Sequence, residues 1–145
     1  MRTAVDSSVL IDVITNDARF QERSVTALRT ASTEGSLLVC ECVLAEIRPA
    51  FRTGEVEEFL ADLAIEYEPS SRESSILAGE MFQRYLERSV ARERRTGAAG
   101  RDRPPVRVVA DFLIGAHALC VADRLLARDR GFYRDYFADL VVVEP

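Results

Sequence analysis

The chain has 145 residues, of which 48% are hydrophobic, and its formal net charge is −5 at pH 7. This length suits one well-buried domain and is short for two, so we expect a single domain over residues 1–145. All 19 basic residues are arginines, which excludes a Walker P-loop, a Schiff-base enzyme and a Ser-Lys hydrolase, because each of these needs a lysine. The acidic balance argues against a protein that coats nucleic acid through bulk positive charge.

The three cysteines, Cys40, Cys42 and Cys120, do not have the spacing of a disulfide framework. We therefore predict free thiols and a reducing compartment. The only histidine, His117, cannot build a multi-histidine zinc site, and we expect it to be an ordinary surface or core residue. No apolar run reaches the ~18 residues of a membrane span, and the N-terminus lacks the apolar region of a signal peptide, so we expect a cytoplasmic protein without a membrane partner.

Short apolar runs alternate with helically spaced segments along the chain. The predicted strands cover residues 2–6, 36–40, 64–69, 124–127 and 139–143. The predicted helices cover residues 9–14, 17–34, 41–51, 56–63, 71–95 and 108–121, with a short one around Tyr133. This alternation predicts an α/β fold, in which a mainly parallel sheet of about five strands is covered by helices on both faces.

Three acidic residues follow predicted strands, and the carboxyl ends of parallel strands are where chemistry collects in such folds. Asp6 ends the first strand, Glu46 lies one helical turn into the segment after the second, and Asp129 follows the fourth. Each also has a structural explanation when taken alone. Asp6 would be a helix N-cap, Glu46 a solvated helix residue and Asp129 a turn residue.

Asp111 lies within the apolar helical stretch 108–116, where a carboxylate is costly without a hydrogen-bond network or a cation. Gly115 and Ala118 follow on the same helix face and predict open space beside the Asp111 carboxylate. Close helix packing and a backbone-capped Asp explain the same residues equally well.

The four carboxylates cannot all ionise comfortably if they converge with no arginine among them. They would then retain a proton or share a divalent cation. Mg²⁺ and Mn²⁺ prefer such oxygen ligands and bridge to phosphate oxygens. The pattern therefore predicts metal-assisted phosphodiester hydrolysis.

Four short motifs, in this order, resemble those of the PIN-domain family, and within it the VapC-type toxins of bacterial toxin-antitoxin modules. They are Ala4-Val5-Asp6-Ser7-Ser8-Val9-Leu10-Ile11, Val43-Leu44-Ala45-Glu46-Ile47, Ala110-Asp111-Phe112-Leu113-Ile114-Gly115-Ala116-His117-Ala118 and Leu125-Leu126-Ala127-Arg128-Asp129-Arg130-Gly131-Phe132. The resemblance runs nearly end to end and implies a three-layer PIN-like sandwich. It also implies an Mg²⁺- or Mn²⁺-dependent endoribonuclease, the toxin of a VapBC-like pair.

By that resemblance Asp6, Glu46, Asp111 and Asp129 are the acidic quartet that binds one or two metal ions, and Ser7 supports a ligand carboxylate or a metal-bound water. Asp123 is a nearby acid, but it precedes the strand that Asp129 follows. Many relatives have a threonine at the position of Ala127 and a second acid at the position of Gly131. The expected chemistry is in-line attack of an activated water at phosphorus, leaving a 5′ phosphate and a 3′ hydroxyl.

Residues 88–107 contain seven arginines against two acids, a net charge of +5, so the rest of the chain is near −10. We interpret this segment either as an arm that contacts RNA phosphates, through residues such as Arg94, Arg95, Arg101 and Arg103, or as a solvated helix end followed by a loop. The resemblance also implies a cognate antitoxin and a homodimer. An apolar groove for them is predicted from Val9, Leu10, Val13, Ile14, Val43, Leu44 and Phe51, for which core packing is the alternative.

Two other functions remain open. The chain would be an RNA-processing PIN nuclease if it has no antitoxin. It would be a catalytically inactive PIN-like module that binds RNA or protein if the residues replaced at Ala127 and Gly131 are essential.

Overall fold

The computed structural model of the protein describes residues 1–96 and 108–145, with side chains described for residues 1–91 and 108–145. Strands β1 to β5 are Arg2–Val5, Ser36–Val39, Ile65–Tyr67, Arg124–Leu126 and Val142–Val143. Helices α1 to α7 are Ser7–Ile14, Gln21–Glu34, Glu41–Ile47, Glu55–Asp62, Arg72–Thr96, Val109–Val121 and Arg130–Tyr136. A 3₁₀ turn, Arg48–Ala50, follows α3.

The five strands form one sheet in the order β3-β2-β1-β4-β5, and every neighbouring pair is parallel. The first strand, β1, lies in the centre, where Ala4 is level with Leu38 of β2 and with Leu125 of β4. This confirms the predicted α/β fold with a five-stranded sheet. The chain adds β2 and β3 on one side of β1 and then β4 and β5 on the other. The position between β1 and β4, where the direction of winding changes, is the usual place for a ligand crevice.

Helices cover both faces of the sheet. In β1 the consecutive residues Thr3, Ala4 and Val5 are all buried, although successive side chains of a strand point to opposite faces. Residues 37–39 of β2 show the same pattern. The sequence of a parallel strand buried on both faces is a nearly continuous apolar run. These segments therefore lack the alternation of polar and apolar residues.

The observed element boundaries differ most from the predicted ones at two helices. The helix predicted to begin at Asp17 begins at Gln21, because the Asp17 carboxylate accepts the backbone N–H groups of Arg19 and Phe20 and holds a turn there. The helix predicted over residues 41–51 ends at Ile47. Pro49 lies in the 3₁₀ turn that follows, and its missing N–H cannot continue an α-helix.

Three of the seven apolar residues predicted to line a partner groove belong to the core, and the other four pack against it. Val9, Leu10 and Val43 are at most 1% exposed. The other four, Val13, Ile14, Leu44 and Phe51, are partly buried and pack against the same core. Core packing, the alternative explanation, therefore accounts for them.

A cluster of five aromatic rings joins the last three helices. Phe112 of α6 lies 5.1 Å from Phe132 and 5.3 Å from Tyr136, both of α7, with nearly perpendicular rings. Phe82 and Tyr85 of α5 pack on Phe112 at 5.3 and 5.7 Å between ring centroids. This cluster fixes the positions of two helix starts, those of α6 and α7.

Among the described residues, no helix is long and apolar enough to cross a membrane. The three cysteines are free, as predicted: Cys40 is buried, Cys42 partly buried and Cys120 exposed. His117 is a core residue with 1% exposure, and burial lowers its pKa, so its imidazole is held in the neutral form.

Candidate active site

A cavity of about 570 Å³ opens at the carboxyl ends of β1 and β4. Its wall contains three of the four predicted carboxylates, two serines, two arginines and two aromatic rings. The lining residues are Asp6, Ser7, Ser8, Phe20, Arg23, Asp111, Arg128, Asp129, Tyr133, Glu144 and Pro145. The chain thus brings Asp6, Asp111 and Asp129 to one concave surface from positions far apart in sequence.

Asp6 follows β1 directly and caps α1. Its Oδ2 accepts the backbone N–H of Ser8 at 3.2 Å and also the Ser8 hydroxyl. Its Oδ1 accepts the hydroxyl of Tyr133 at 2.9 Å. With only 8% exposure, Asp6 has both carboxylate oxygens oriented by hydrogen bonds. The N-cap explanation of this residue is correct, and it does not compete with a position on the cavity wall.

Tyr133 is a site residue that the sequence reasoning missed. It is 2% exposed, and burial raises the pKa of its phenol well above 10, with the nearby carboxylates of Asp6, Asp111 and Glu46 adding to the effect. The phenol therefore stays protonated at neutral pH and can donate to Asp6. The available signal was its spacing: Asp129 caps α7, and Tyr133 follows one helical turn later on the same face.

Asp111 lies in the first turn of α6. Its carboxylate accepts the backbone N–H of Val108 at 3.3 Å, and a negative charge there is favoured by the helix dipole. Gly115 does not provide open space, because a Cβ there would come within 2.4 Å of the Phe137 ring. The space beside Asp111 is that of the cavity which it lines. Close packing therefore explains Gly115, while the backbone cap of Asp111 does not compete with its position on the cavity wall.

Asp129 is exposed and caps α7, accepting the backbone N–H of Phe132 at 3.1 Å. It follows β4 by three residues, so the cap and the end of the strand place it on the cavity wall. Asp123 lies at the other end of β4, where its carboxylate accepts the backbone N–H of Arg2 at 2.6 Å.

Glu46 is an exposed residue of α3 outside the cavity lining. Desolvation of its carboxylate by the surrounding protein raises the pKa of Glu46, and the negative charges of Asp6 and Asp111 raise it further. A hydrogen bond with the Ser7 side chain acts in the opposite direction. Glu46 is therefore within electrostatic reach of two cavity carboxylates, and Ser7 connects it to the start of α1.

The donor set has the chemistry of a hard divalent cation site, with carboxylate and hydroxyl oxygens and mutual repulsion that a cation would relieve. Burial is the largest cause of the raised pKa values of Glu46 and Tyr133, and the nearby carboxylates add to both. Across residues 1–96 and 108–145, however, no three acidic, cysteine or histidine side chains stand close enough to hold one metal ion together. The residues suit Mg²⁺ or Mn²⁺ in chemical type.

Two arginines, Arg23 and Arg128, also line this cavity. This corrects the assumption that the carboxylates converge with no arginine nearby. Of the arginines predicted to contact RNA, Arg94 and Arg95 lie in the last turn of α5, where only the backbone is described, and Arg101 and Arg103 fall outside the described residues.

No protein-family model and no curated protein matches the chain. Solved structures do match it over nearly its whole length. The structure of VapBC2 from Rickettsia felis bound to a DNA fragment from its promoter matches with a TM-score of 0.68 and 15% identity, covering 99% of this chain and 98% of that one. The chain has the PIN-domain fold.

Two further structures with the PIN-domain fold are similar. FitAB bound to the IR36 DNA fragment matches with a TM-score of 0.63 and 17% identity, covering 99% of this chain and 94% of that one. FitAcB from Neisseria gonorrhoeae matches with a TM-score of 0.59 and 18% identity, covering 97% and 95%. The resemblance identified from the four motifs is thus confirmed at the level of the fold, and the roles of its residues remain predictions.

Proposed function

We propose that the protein is an Mg²⁺- or Mn²⁺-dependent endoribonuclease whose metal ligands come from Asp6, Glu46, Asp111 and Asp129. The observation that carries this proposal is the cavity at the sheet switch point, on which Asp6, Asp111 and Asp129 lie together. The pKa of Glu46 adds support, because the charges of Asp6 and Asp111 help to raise it. Such a pocket suits a divalent cation, which would also bind an oxygen of the RNA phosphodiester.

The side chains of this pocket have separable tasks. Tyr133 and Ser8 hold the two oxygens of Asp6 in fixed positions, which limits the reorganisation needed when a ligand binds. Asp111 is set at the start of α6 and Asp129 at the start of α7. Ser7 supports the Glu46 carboxylate. A bound divalent cation would activate water and neutralise charge on the phosphate.

We infer further that residues 1–145 act as a single domain, as the toxin of a VapBC-like module, in a homodimer with a cognate antitoxin. Support comes from the fold shared with VapBC2 and FitAB, both solved on DNA fragments. Co-expression with the product of any small adjacent gene, followed by light scattering of the purified complex, tests both partners. A monomer that the adjacent product neither binds nor inhibits would contradict this assignment.

The activity test uses the purified protein, free of any antitoxin, with structured tRNA and rRNA substrates in Mg²⁺, Mn²⁺ or EDTA. Alongside it runs an Asp6→Asn, Asp111→Asn double variant whose folding is checked by circular dichroism. We expect cleavage that requires metal and falls by more than about 100-fold in the double variant, since even residues that only support metal ligands contribute 10–100-fold. Asp135→Asn is the matched control, because Asp135 is exposed on α7 and does not line the cavity.

Metal binding is tested separately by calorimetric titration of Mn²⁺ into the same three proteins. The wild type and Asp135→Asn should bind Mn²⁺, and the double variant should not. Cleavage that persists in the double variant would mean a contaminating nuclease or a different site.

A catalytically inactive PIN-like module that binds RNA or protein is the second candidate. It is favoured by the lack of three closely grouped metal-binding side chains in the described part of the chain. This candidate predicts that the folded wild type neither binds Mn²⁺ nor cleaves any RNA, even with Mn²⁺ present.

A further inference from the structure

The guanidinium of Arg128 is held in place by two contacts on the wall of the cavity. Its Cζ lies 4.7 Å from the centroid of the Phe20 ring, a cation–π arrangement. Its Nη1 lies 3.4 Å from Oδ1 of Asp12. Phe20 precedes α2 and Asp12 lies in α1, so two helices position an arginine that follows β4.

Asp12 is a buried carboxylate that the proposed nuclease chemistry does not use. It is 2% exposed, and its Oδ2 accepts the Ser24 hydroxyl at 2.7 Å. A buried charge needs compensation by a hydrogen bond and an opposite charge, and here Ser24 and Arg128 supply them. Asp12 thus acts as a fixed anchor for the Arg128 guanidinium.

The Arg128 side chain nevertheless remains 37% exposed and lines the cavity. A guanidinium has five N–H donors in a rigid planar fork, and Asp12 engages one side of it. Because its orientation is already fixed, the group loses less conformational entropy when it binds a further anion. Arg23, an exposed residue of α2, adds a second guanidinium to the same wall.

We propose that Arg23 and Arg128 form a phosphate-binding site that holds the RNA strand next to the carboxylates, an inference that rests on the proposed function. A pocket of carboxylates repels a polyanion, so a strand can enter only where positive charge offsets that repulsion. The two arginines provide this charge on the same cavity as Asp6, Asp111 and Asp129.

The contacts of Phe20 favour the RNA backbone over the bases as the group recognised. Arg128 and also Arg19 approach its ring, at 4.7 and 5.7 Å from the centroid. Two guanidinium groups thus already lie over this ring, which favours phosphate contacts over the stacking of a nucleobase. Binding at this site should depend on phosphate charge and not on sequence.

The test measures the affinity of a fluorescently labelled single-stranded RNA of twelve nucleotides in EDTA, where hydrolysis by the proposed mechanism does not occur. The variants are Arg23→Gln and the double substitution Asp12→Asn, Arg128→Gln, which removes the buried charge together with its partner. The control is Arg29→Gln, an exposed arginine of α2 outside the cavity lining. Asp12→Asn alone is measured as the reference for the double substitution. Thermal unfolding verifies that each protein is folded.

We expect each test variant to weaken RNA binding by roughly tenfold, the scale of a charge-assisted hydrogen bond. The slope of log affinity against log salt should fall by about 0.7 per phosphate contact removed. Arg29→Gln should bind as the wild type does. Asp12→Asn alone should weaken binding less than the double variant, because it releases the Arg128 guanidinium but keeps its charge. Arg128→Lys, which keeps the charge but loses the planar fork, should weaken binding with little change in the salt slope. It also replaces the double variant if that protein does not fold.

Wild-type affinity and salt slope in the folded Arg23 and Arg128 variants would overturn the proposal. Unchanged RNA affinity combined with a weakened antitoxin complex would also overturn it, since the arginines would then serve an acidic protein segment. Cleavage assays of the same proteins in Mn²⁺ separate this result from the proposed function. An inactive wild type with arginine-dependent binding refutes the nuclease alone, and an active wild type with arginine-independent binding refutes the phosphate site alone.

Discussion

The hydroxyl of Tyr133 donates a hydrogen bond of 2.9 Å to Oδ1 of Asp6, joining residues 127 positions apart in the chain. One of them ends the central strand of the sheet and the other lies in the last helix. The bond gives a buried carboxylate a defined orientation without adding a positive charge. In the proposed nuclease, Tyr133 is therefore a positioning residue for a metal ligand.

Replacing Tyr133 with phenylalanine should lower the apparent affinity for Mn²⁺ and the cleavage rate by about 10–100-fold, the usual effect of losing a group that orients a metal ligand. Calorimetry and single-turnover cleavage measure the two quantities. Tyr136→Phe on the same helix is the matched control, since Tyr136 is half-buried and outside the cavity lining. Equal Mn²⁺ affinity in Tyr133→Phe and the wild type would show that the hydroxyl does not position a ligand.

Gly115→Ala should destabilise the protein by about 1–3 kcal/mol, because the added methyl group would overlap the Phe137 ring. Gly79→Ala is the natural comparison, because nothing lies within 4 Å of its Cβ position on α5. That substitution should instead stabilise the protein by up to about 1 kcal/mol through helix propensity. Urea unfolding of both variants measures the difference. A Gly115→Ala protein as stable as the wild type would mean that Phe137 moves aside at little cost.

Glu46→Gln should raise the midpoint of thermal unfolding in metal-free buffer at neutral pH. Its surroundings and the charges of Asp6 and Asp111 raise the pKa of Glu46 above 4.5, so the folded state binds this proton more tightly than the unfolded chain does. Protonation of Glu46 therefore stabilises the folded state at low pH. This contribution is lost as the pH rises through the raised pKa. The benefit of the substitution should therefore shrink as the pH falls through the raised pKa towards 4.5. Scanning calorimetry between pH 4 and pH 8 checks this trend, and a benefit independent of pH would contradict it.

Cys42 should resist alkylation by iodoacetamide at pH 8. Burial raises the pKa of its thiol to about 12, with Cys40, Glu41 and Glu46 contributing, so almost none of it is thiolate at that pH. The exposed Cys120 should be labelled first. Peptide mass spectrometry of briefly treated protein identifies the modified residues. Labelling of Cys42 as fast as Cys120 would show that the α3 region opens readily.

The sheet was predictable because its central strands are buried on both faces. Their sequences are therefore short, uninterrupted runs of apolar residues. Residues 37–39 and 125–126 are buried for the same reason. The positions of Asp6 and Asp129 were also predictable, since both follow strands. Asp111 was placed in the correct helix, whose predicted start at residue 108 lies one residue before the observed start. The backbone cap that its side chain forms with Val108 was one of the two explanations considered.

The parts of the candidate site that could not be predicted depend on long-range packing. Tyr133 meets Asp6 only after the sheet has brought β1 and β4 together. Arg128 reaches the cavity wall because Asp12 and Phe20, on two other elements, hold its guanidinium. Neither relationship leaves a local pattern of spacing, and the space assumed beside Gly115 is filled by Phe137, which is 22 residues further along the chain.

The order of the strands also has a consequence for the synthesis of the protein. The central strand β1 is made first, yet its neighbour β4 and the helix that carries Tyr133 come from residues 124–136. A chain emerging from the ribosome therefore exposes Asp6 for most of its translation without the wall that completes the cavity. In the proposed nuclease, partial chains would therefore lack the complete pocket, and cleavage would begin only once α7 has docked.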